Sequence, residues 1–326
     1  MRLLSEADIR ALFDPEAAID SSARAYAALA RGSAHIPSRT EILKPEVGGV
    51  IFVMPGLIDE QVFGLKLIAL RDGPEGELFV SMVMLFDART LQPLGLVSSE
   101  FLTDYRTAAG IAAATRTLAR PEAEVHAIYG AGRLAGPSAR LVQRVRPIKR
   151  VLIVGRSADR RDSLIAELRA DPAMAGCQIV AAEPDAAAEE ADVVTTVTTS
   201  PSPVFDGSRL RPGTHVNLGG AFRPSTRESD DNVARRGRWF YDASVCLERA
   251  GDLVIPIGSG MLEPARVVGE IGAVLVGKIS GRRNATEITV FKSLGTAAQD
   301  LDLVNELLQT AEANDIGARF DHRGGT

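Results

Sequence analysis

The sequence predicts an α/β chain, with a doubly wound parallel sheet preceded by a smaller α+β segment. Three observations predict it. First, Val125-His-Ala-Ile-Tyr129 reads as a short apolar strand that runs into Gly130, Gly132 and Gly136, at G-x-G-x-x-G spacing. Second, apolar runs alternate with helical segments beyond residue 121, and that alternation implies parallel strands. Third, short apolar runs between residues 36 and 97 are separated by turn residues, as in an antiparallel sheet or partial barrel.

In chain order, residues 1–34 read as helical. Asp14 is placed to cap a helix that has Pro15 at its first position, and Ala17, Ala18, Ile19, Ala23 and Tyr26 follow. Strands are expected at 49–54, 64–70, 79–86 and 94–97, with turns at Pro55-Gly56, Asp72-Gly73-Pro74 and residues 87–89. An alanine-rich helix is expected from Thr103 to Leu118, closed by Pro121. The domain boundary falls there, giving 1–120, completed by about 300–320, and 121–299. Further strands are expected at 125–129, 150–154, 178–182, 192–197, 214–218, 239–242 and 287–292. Helices are expected at 133–146, 158–169, 265–276 and 295–314, and the tail from Asp321 reads as disordered.

Composition sets limits on function. The chain has 326 residues, 45% of them hydrophobic and 24% charged, as in an ordinary globular protein. Its net charge of −5 argues against a nucleic-acid binder but leaves room for local basic pockets. Cys177 and Cys246 form no disulfide framework, and His35, His126, His215 and His322 lack ligand spacing, so no metal is expected. The N-terminus lacks a long apolar stretch, and no run approaches the roughly 18 apolar residues of a membrane span. A cytoplasmic enzyme is the expectation.

The glycine loop is the first candidate site. Gly130 would make the tight turn, Gly132 would let backbone approach a pyrophosphate, and Gly136 would let helix pack close to strand. Ala131, Arg133 and Leu134 complete the loop at a helix N-terminus, where free N–H groups suit an anion. In a Rossmann-type sheet the end of the second strand meets the adenosine ribose. There Gly155 is followed by Arg156 and Ser157, with Arg160 nearby and no carboxylate before Asp159. A guanidinium suits a 2′-phosphate, so NADPH/NADP is expected over NADH/NAD, although these arginines could equally solvate a helix start. Thr198 and Thr199 follow the fourth strand, where cofactor normally binds, although strand propensity also accounts for them.

Several segments together resemble the ornithine cyclodeaminase/mu-crystallin family. They are Ile36-Pro-Ser-Arg39, Val53-Met-Pro-Gly56, Gly64-Leu-Lys66, Leu102-Thr-Asp-Tyr-Arg-Thr-Ala-Ala109 and the glycine loop. Residues 191–200, Pro212-Gly-Thr-His-Val-Asn217, Ala250-Gly-Asp252, Gly269-Glu-Ile-Gly272 and 287–295 complete the set. The resemblance runs from about Pro37 to about Asp302. It implies an N-terminal sheet domain that binds substrate and dimerises, completed by the C-terminal helix, beside a Rossmann domain. It also implies hydride transfer at the α-carbon of amino or imino acids, usually in a homodimer.

On that resemblance, Arg39 and Arg106 match the family's carboxylate-binding arginines, and Lys66 its active-site lysine. Read from the residues alone, Lys66 is equally well an outward-facing residue of an alternating strand. If it is buried among Leu65, Leu67 and Ile68, its pKa would be lowered and fitted for proton transfer. Lys292, Ser293 and Gly295 match a segment that lies by the nicotinamide.

Two positions depart from the pattern. Phe222 stands where cyclodeaminases carry a catalytic Asp, and Leu134 where Gln is usual; the second leaves the loop intact. Phe222 can take over neither the amino group nor the water, which points to the ketimine-reductase branch. The expected activity is therefore NAD(P)H-dependent reduction of an α-imino acid, with a small imino or amino acid as partner. The alternatives are an ornithine- or lysine-type cyclodeaminase and a non-catalytic ligand-binding protein that keeps the cofactor site.

Overall fold

The computed structural model of the chain describes residues 1–71, 78–321 and 323. The expected turn at Asp72-Gly73-Pro74, His322 and residues 324–326 of the tail lie outside the described residues.

The chain opens with β1 (Arg2–Leu4), α1 (Glu6–Leu12) and α2 (Pro15–Arg31). Strands β2 (Ala34–His35), β3 (Thr40–Lys44), β4 (Gly49–Ile58), β5 (Val62–Arg71), β6 (Leu78–Asp87) and β7 (Pro93–Ser98) follow. Helix α3 (Glu100–Leu118) leads to β8 (Val125–Tyr129), α4 (Ala135–Val145), β9 (Arg150–Val154), α5 (Ala158–Ala170) and β10 (Gln178–Ala181). Next come α6 (Pro184–Glu190), β11 (Val193–Thr196), β12 (His215–Leu218), α7 (Asp231–Arg236) and β13 (Gly237–Tyr241). The chain closes with α8 (Cys246–Arg249), α9 (Gly251–Gly258), β14 (Val267–Glu270), α10 (Ile271–Leu275), β15 (Ile288–Lys292), α11 (Ala297–Ala313) and β16 (Ala318–Arg319). No described helix is long and apolar enough to cross a membrane.

Two compact units result: Met1–Arg106 with Thr296–Thr326, and Thr107–Gly295. The division falls within α3, where the sequence places it at 120/121. The reason is packing, because Ile111 joins the core of Ile128, Ala139 and Ile153 in the second unit.

In the first unit the strand order is β16-β1-β7-β6-β5-β4-β2, with β3 also on β4. β4 to β7 form an antiparallel meander, and β1 runs parallel to β7. Helix α11 packs on α2, β4 and β5. Both helices start on side-chain caps. Asp14 accepts from Ala17 N, while Thr296 and Gln299 form a reciprocal box.

Two expectations fail here. The helical reading of residues 1–34 misses β1 and β2, whose partners β7, β16 and β4 lie far along the chain. The turn at Pro55-Gly56 is instead the middle of β4, where Pro55 pairs with Leu65 and Gly56 with Gly64. Proline is tolerated because one flank of β4 is open at that point. β3 pairs only as far as Val53, and β2 begins at Leu57.

In the second unit the order is β10-β9-β8-β11-β12-β15-β13-β14, with every pair parallel. The chain winds outward from β8 on one side and from β11 on the other, so the topological switch lies between them. The helix expected at 265–276 is interrupted: after a 3-10 turn at Pro264–Arg266, Val267–Glu270 form β14 against β13, and only Ile271–Leu275 is α-helical. Gly269 takes a φ of 145°, which no helix accommodates.

Candidate functional site

In the first unit a polar group lies under the β4–β5 sheet. Burial alternates along β5, which puts Val62, Gly64, Lys66 and Ile68 on the covered face and Leu67 on the exposed one. Lys66 is therefore fully buried. Its Nζ donates to Asp300 Oδ1 at 2.6 Å and to Thr103 Oγ1 at 2.7 Å. Arg106 is also buried, and its Nε donates to the same Asp300 oxygen at 3.1 Å. Two cations thus share one carboxylate. Burial pushes the Lys66 pKa down to about 8; Asp300 and, less strongly, Asp104 oppose that shift and Arg106 adds to it. Asp300 Oδ2 is buried and accepts no hydrogen bond.

Arg39 precedes the first β3–β4 pair, Thr40 with Val53, and Met54, the next residue of β4, pairs with Lys66. The Arg39 guanidinium lies 4.7 Å from the Phe52 ring centre and 3.2 Å from Glu41 Oε1. The structure thus joins Lys66 and Arg106 through Asp300 and holds Arg39 on other partners.

In the second unit the carboxyl ends of β8 and β11 flank the topological switch. Gly130 has φ 116°, and a Cβ there would stand 2.7 Å from Val197 O. Gly220 is constrained from the other side, since its Cβ would lie 2.3 Å from both Thr198 N and Thr198 O. These two glycines allow three strand ends to converge. At Gly132 the Cβ position is open, with no atom within 4 Å. Leu134 precedes α4 and supplies no side-chain cap; Ala135 N donates to Gly132 O at 3.0 Å and Pro137 has no N–H, which leaves Gly136 N in the first turn for an outside acceptor. A tight turn, open space over Gly132 and an uncapped helix start fit a dinucleotide pyrophosphate. Gly136 does not do the job expected of it. Its Cβ would meet Arg140 Nη1 at 2.8 Å and Leu164 of α5 at 3.5 Å, so it accommodates helix neighbours rather than a strand.

At the end of β9, Arg156, Ser157 and Arg160 are exposed, and Ser157 Oγ caps α5 by accepting from Arg160 N at 3.3 Å. Thr199 is exposed. Thr198, however, commits both its N and Oγ1 to Glu228 Oε1, at 2.7 and 2.8 Å. Lys292 and Ser293 hold the protein together internally. Lys292 is fully buried, with Nζ on Ala221 O at 2.6 Å and Asp252 Oδ2 at 2.9 Å. Ser293 Oγ and Gly295 N both donate to Asp242 Oδ2. Phe222 follows the anchored Ala221, is 40% exposed and stacks near its neighbour Arg223.

Four buried acids escaped the sequence reading as functional or structural anchors: Asp242, Asp252, Glu228 and Asp300. For Asp300 a signal was present. It occupies the i position of the stripe Asp300-Val304-Leu307-Leu308-Ala311, all buried on α11. A carboxylate in an apolar stripe calls for a buried cation.

The chain matches the ornithine cyclodeaminase/mu-crystallin family over residues 1–314. It is 31% identical to the Delta(1)-pyrroline-2-carboxylate reductase of Bacillus cereus over 294 residues, covering 87% of this chain and 89% of that protein. The Thermococcus litoralis Delta(1)-pyrroline-2-carboxylate reductase, solved with NADH and L-proline, superposes with a TM-score of 0.90 at 30% identity, covering 98% of this chain and all of that one. The iminosuccinate reductase of Paracoccus denitrificans, solved with NAD+, gives 0.89 at 26% identity, covering 98% and 99%.

Proposed function

This chain belongs to the ornithine cyclodeaminase/mu-crystallin family, and we propose that within it the chain is a nicotinamide-dependent oxidoreductase that reduces the C=N bond of an α-imino acid. The substrate is a cyclic ketimine or the iminium formed from an α-keto acid, and the product is an L-amino acid. The reaction runs equally in reverse as an amino-acid dehydrogenation.

One observation carries this reading: a buried lysine with its pKa near 8, held with a buried arginine on one carboxylate. Two buried cations on one carboxylate favour a further anion beside them, and a substrate carboxylate is that anion. Arg106 and Arg39 are assigned to that carboxylate. Lys66 Nζ carries the proton that the substrate nitrogen takes up, and a pKa near 8 keeps it charged but readily released at neutral pH. The unbonded Asp300 Oδ2 is an open acceptor for a substrate N–H.

The residues fit a dinucleotide. Gly130, Ala131, Gly132, Arg133 and Leu134 would hold its pyrophosphate, and Arg156, Ser157 and Arg160 its adenosine ribose. When bound in reduced form it supplies the hydride. With exposed arginines and no carboxylate at the end of β9, the 2′-phosphorylated form is assigned, and a cytoplasmic location is part of the same reading. A homodimer is assigned through the outer face of the β5–β6 sheet. There the cross-strand partners Leu67 and Met82 are exposed by 39% and 45%.

A cyclodeaminase needs a carboxylate at position 222, and the apolar Phe222 disfavours it. The test is a panel of cyclic ketimines and of α-keto acids with amines, followed by NADPH absorbance and repeated with NADH. Oxidation of NADPH by at least one imine is expected, with a higher kcat/KM than for NADH. No turnover with either cofactor overturns the reductase reading, and a preference for NADH overturns only the cofactor assignment.

A further inference from the structure

We propose that the cleft at the amino ends of β13 and β15 is a binding site for an anion that carries two or more phosphate groups. The cleft has a volume of about 390 Å³ and lies wholly within the second unit. Gly237, which opens β13, and Ile288, which opens β15, both line it. The glycine loop follows the carboxyl end of β8 in the same parallel sheet, so the two sites lie at opposite ends of its strands.

The argument begins with charge. Arg235, Arg236, Arg238, Arg266 and Arg283 line the cleft, and Glu287 is the one carboxylate among the lining residues. That local excess of four positive charges occurs on a chain whose net charge is −5. Glu287 serves two of the arginines: its Oε1 lies 2.8 Å from Arg283 Nη2 and 3.9 Å from Arg238 Nε. Among the described residues, no carboxylate lies within ion-pairing distance of Arg235, Arg236 or Arg266.

Two of these groups are fixed in place. Arg236 donates to the carbonyls of Gly207, Ser208 and Leu210, which orients its guanidinium and leaves its charge uncompensated. Arg238 donates from Nη2 to Ser280 O and Oγ, while its buried Nε has no hydrogen-bond partner. Crowded like charges repel, and a buried unsatisfied donor costs about 1–3 kcal/mol. An anion in the cleft relieves the crowding of like charge. A singly charged ion would leave most of the excess in place, whereas linked phosphates match several planar guanidinium forks at once. The volume falls in the range of small-molecule sites, roughly 300–1,000 Å³.

Titration calorimetry at low ionic strength tests the proposal, with inorganic tripolyphosphate and ATP as probes. The proteins are the wild type, an Arg235→Gln/Arg266→Gln double variant and a Gly132→Val variant. The double variant strands no carboxylate, and its melting temperature reports whether it folds. Tripolyphosphate is expected to bind the wild type and Gly132→Val alike, and the double variant at least about tenfold more weakly. Added salt should weaken binding, as exposed charges require. ATP binding Gly132→Val more tightly than tripolyphosphate does would identify a nucleotide as the source, and equal binding would identify the phosphates alone. Absence of binding to the wild type overturns the proposal. So does binding that survives in the double variant and disappears in Gly132→Val, which would put the anion at the glycine loop. None of these measurements uses imine turnover, so the site and the reductase reading fail separately.

Discussion

Lys66 and Lys292 are both fully buried, each with its ammonium on an aspartate, yet burial has opposite consequences for them. At Lys66, burial dominates and Arg106 adds repulsion, so Asp300 and Asp104 do not hold the pKa up and it falls to about 8. At Lys292, burial also works against the charge, but Asp252 and Glu228 together outweigh it and raise the pKa. The neighbourhood of Lys292 is rich in acceptors, with Ala221 O among them. The neighbourhood of Lys66 puts a second cation, Arg106, on the same carboxylate oxygen. Local charge balance, rather than depth, separates a lysine that can release a proton from one that serves as a fastener.

The two lysines should therefore fail differently when truncated. Lys66→Met is expected to lower kcat for imine reduction by about 10²–10⁴-fold. Its stability should stay close to wild type, since Asp300 keeps Arg106. A kcat within a few-fold of wild type would remove Lys66 from the proton transfer. Lys292→Met leaves Asp252 buried without its cation and is expected to cost about 3–5 kcal/mol in urea unfolding. A loss below about 1 kcal/mol would mean that the pair is not a fastener.

Burial without any carboxylate partner is seen at His126 and His215, whose pKa values burial pushes down to about 3, with Arg282 adding to the effect at His215. Their hydrogen bonds run to Thr195, Thr289 and Asn217, all neutral. Since the folded pKa lies below the unfolded value of about 6.5, the stabilisation is complete above pH 6.5. It is lost as pH falls from there toward 3. By pH 5 the loss should reach about 2 kcal/mol per histidine, and His126→Leu should flatten the fall in melting temperature. An unchanged slope would show that His126 does not titrate on unfolding.

The smallest effect sharpens the comparison most. With Lys66 as the acid, kcat/KM should fall as pH rises through about 8. Asp300→Asn removes the charge that supports the ammonium, so that limb should move to lower pH by about one unit or more. A limb that stays in place would separate Asp300 from Lys66 in function.

Much of the second unit was legible from sequence. The strands at 125–129 and 150–154 coincide with those expected, because each is a short apolar run whose pattern is set locally. The glycine loop was legible for the same reason, since turn geometry depends on adjacent residues. What escaped was set at a distance. β1 takes its form from β7 and β16, and Pro55 is admitted to β4 by a gap between two other strands. The internal bonds of Lys292 and Ser293 to Asp252 and Asp242, acids 40 and 51 residues away, escaped for the same reason.

The sequence by itself determined the parallel sheet, the glycine loop and the residue types available to the proposed chemistry. These follow from local periodicity and from the chemistry of single side chains. Only the tertiary structure decided which lysine is poised and which is tied. A buried ammonium takes its pKa from every charge around it, and Asp300 reaches Lys66 across 234 residues of chain.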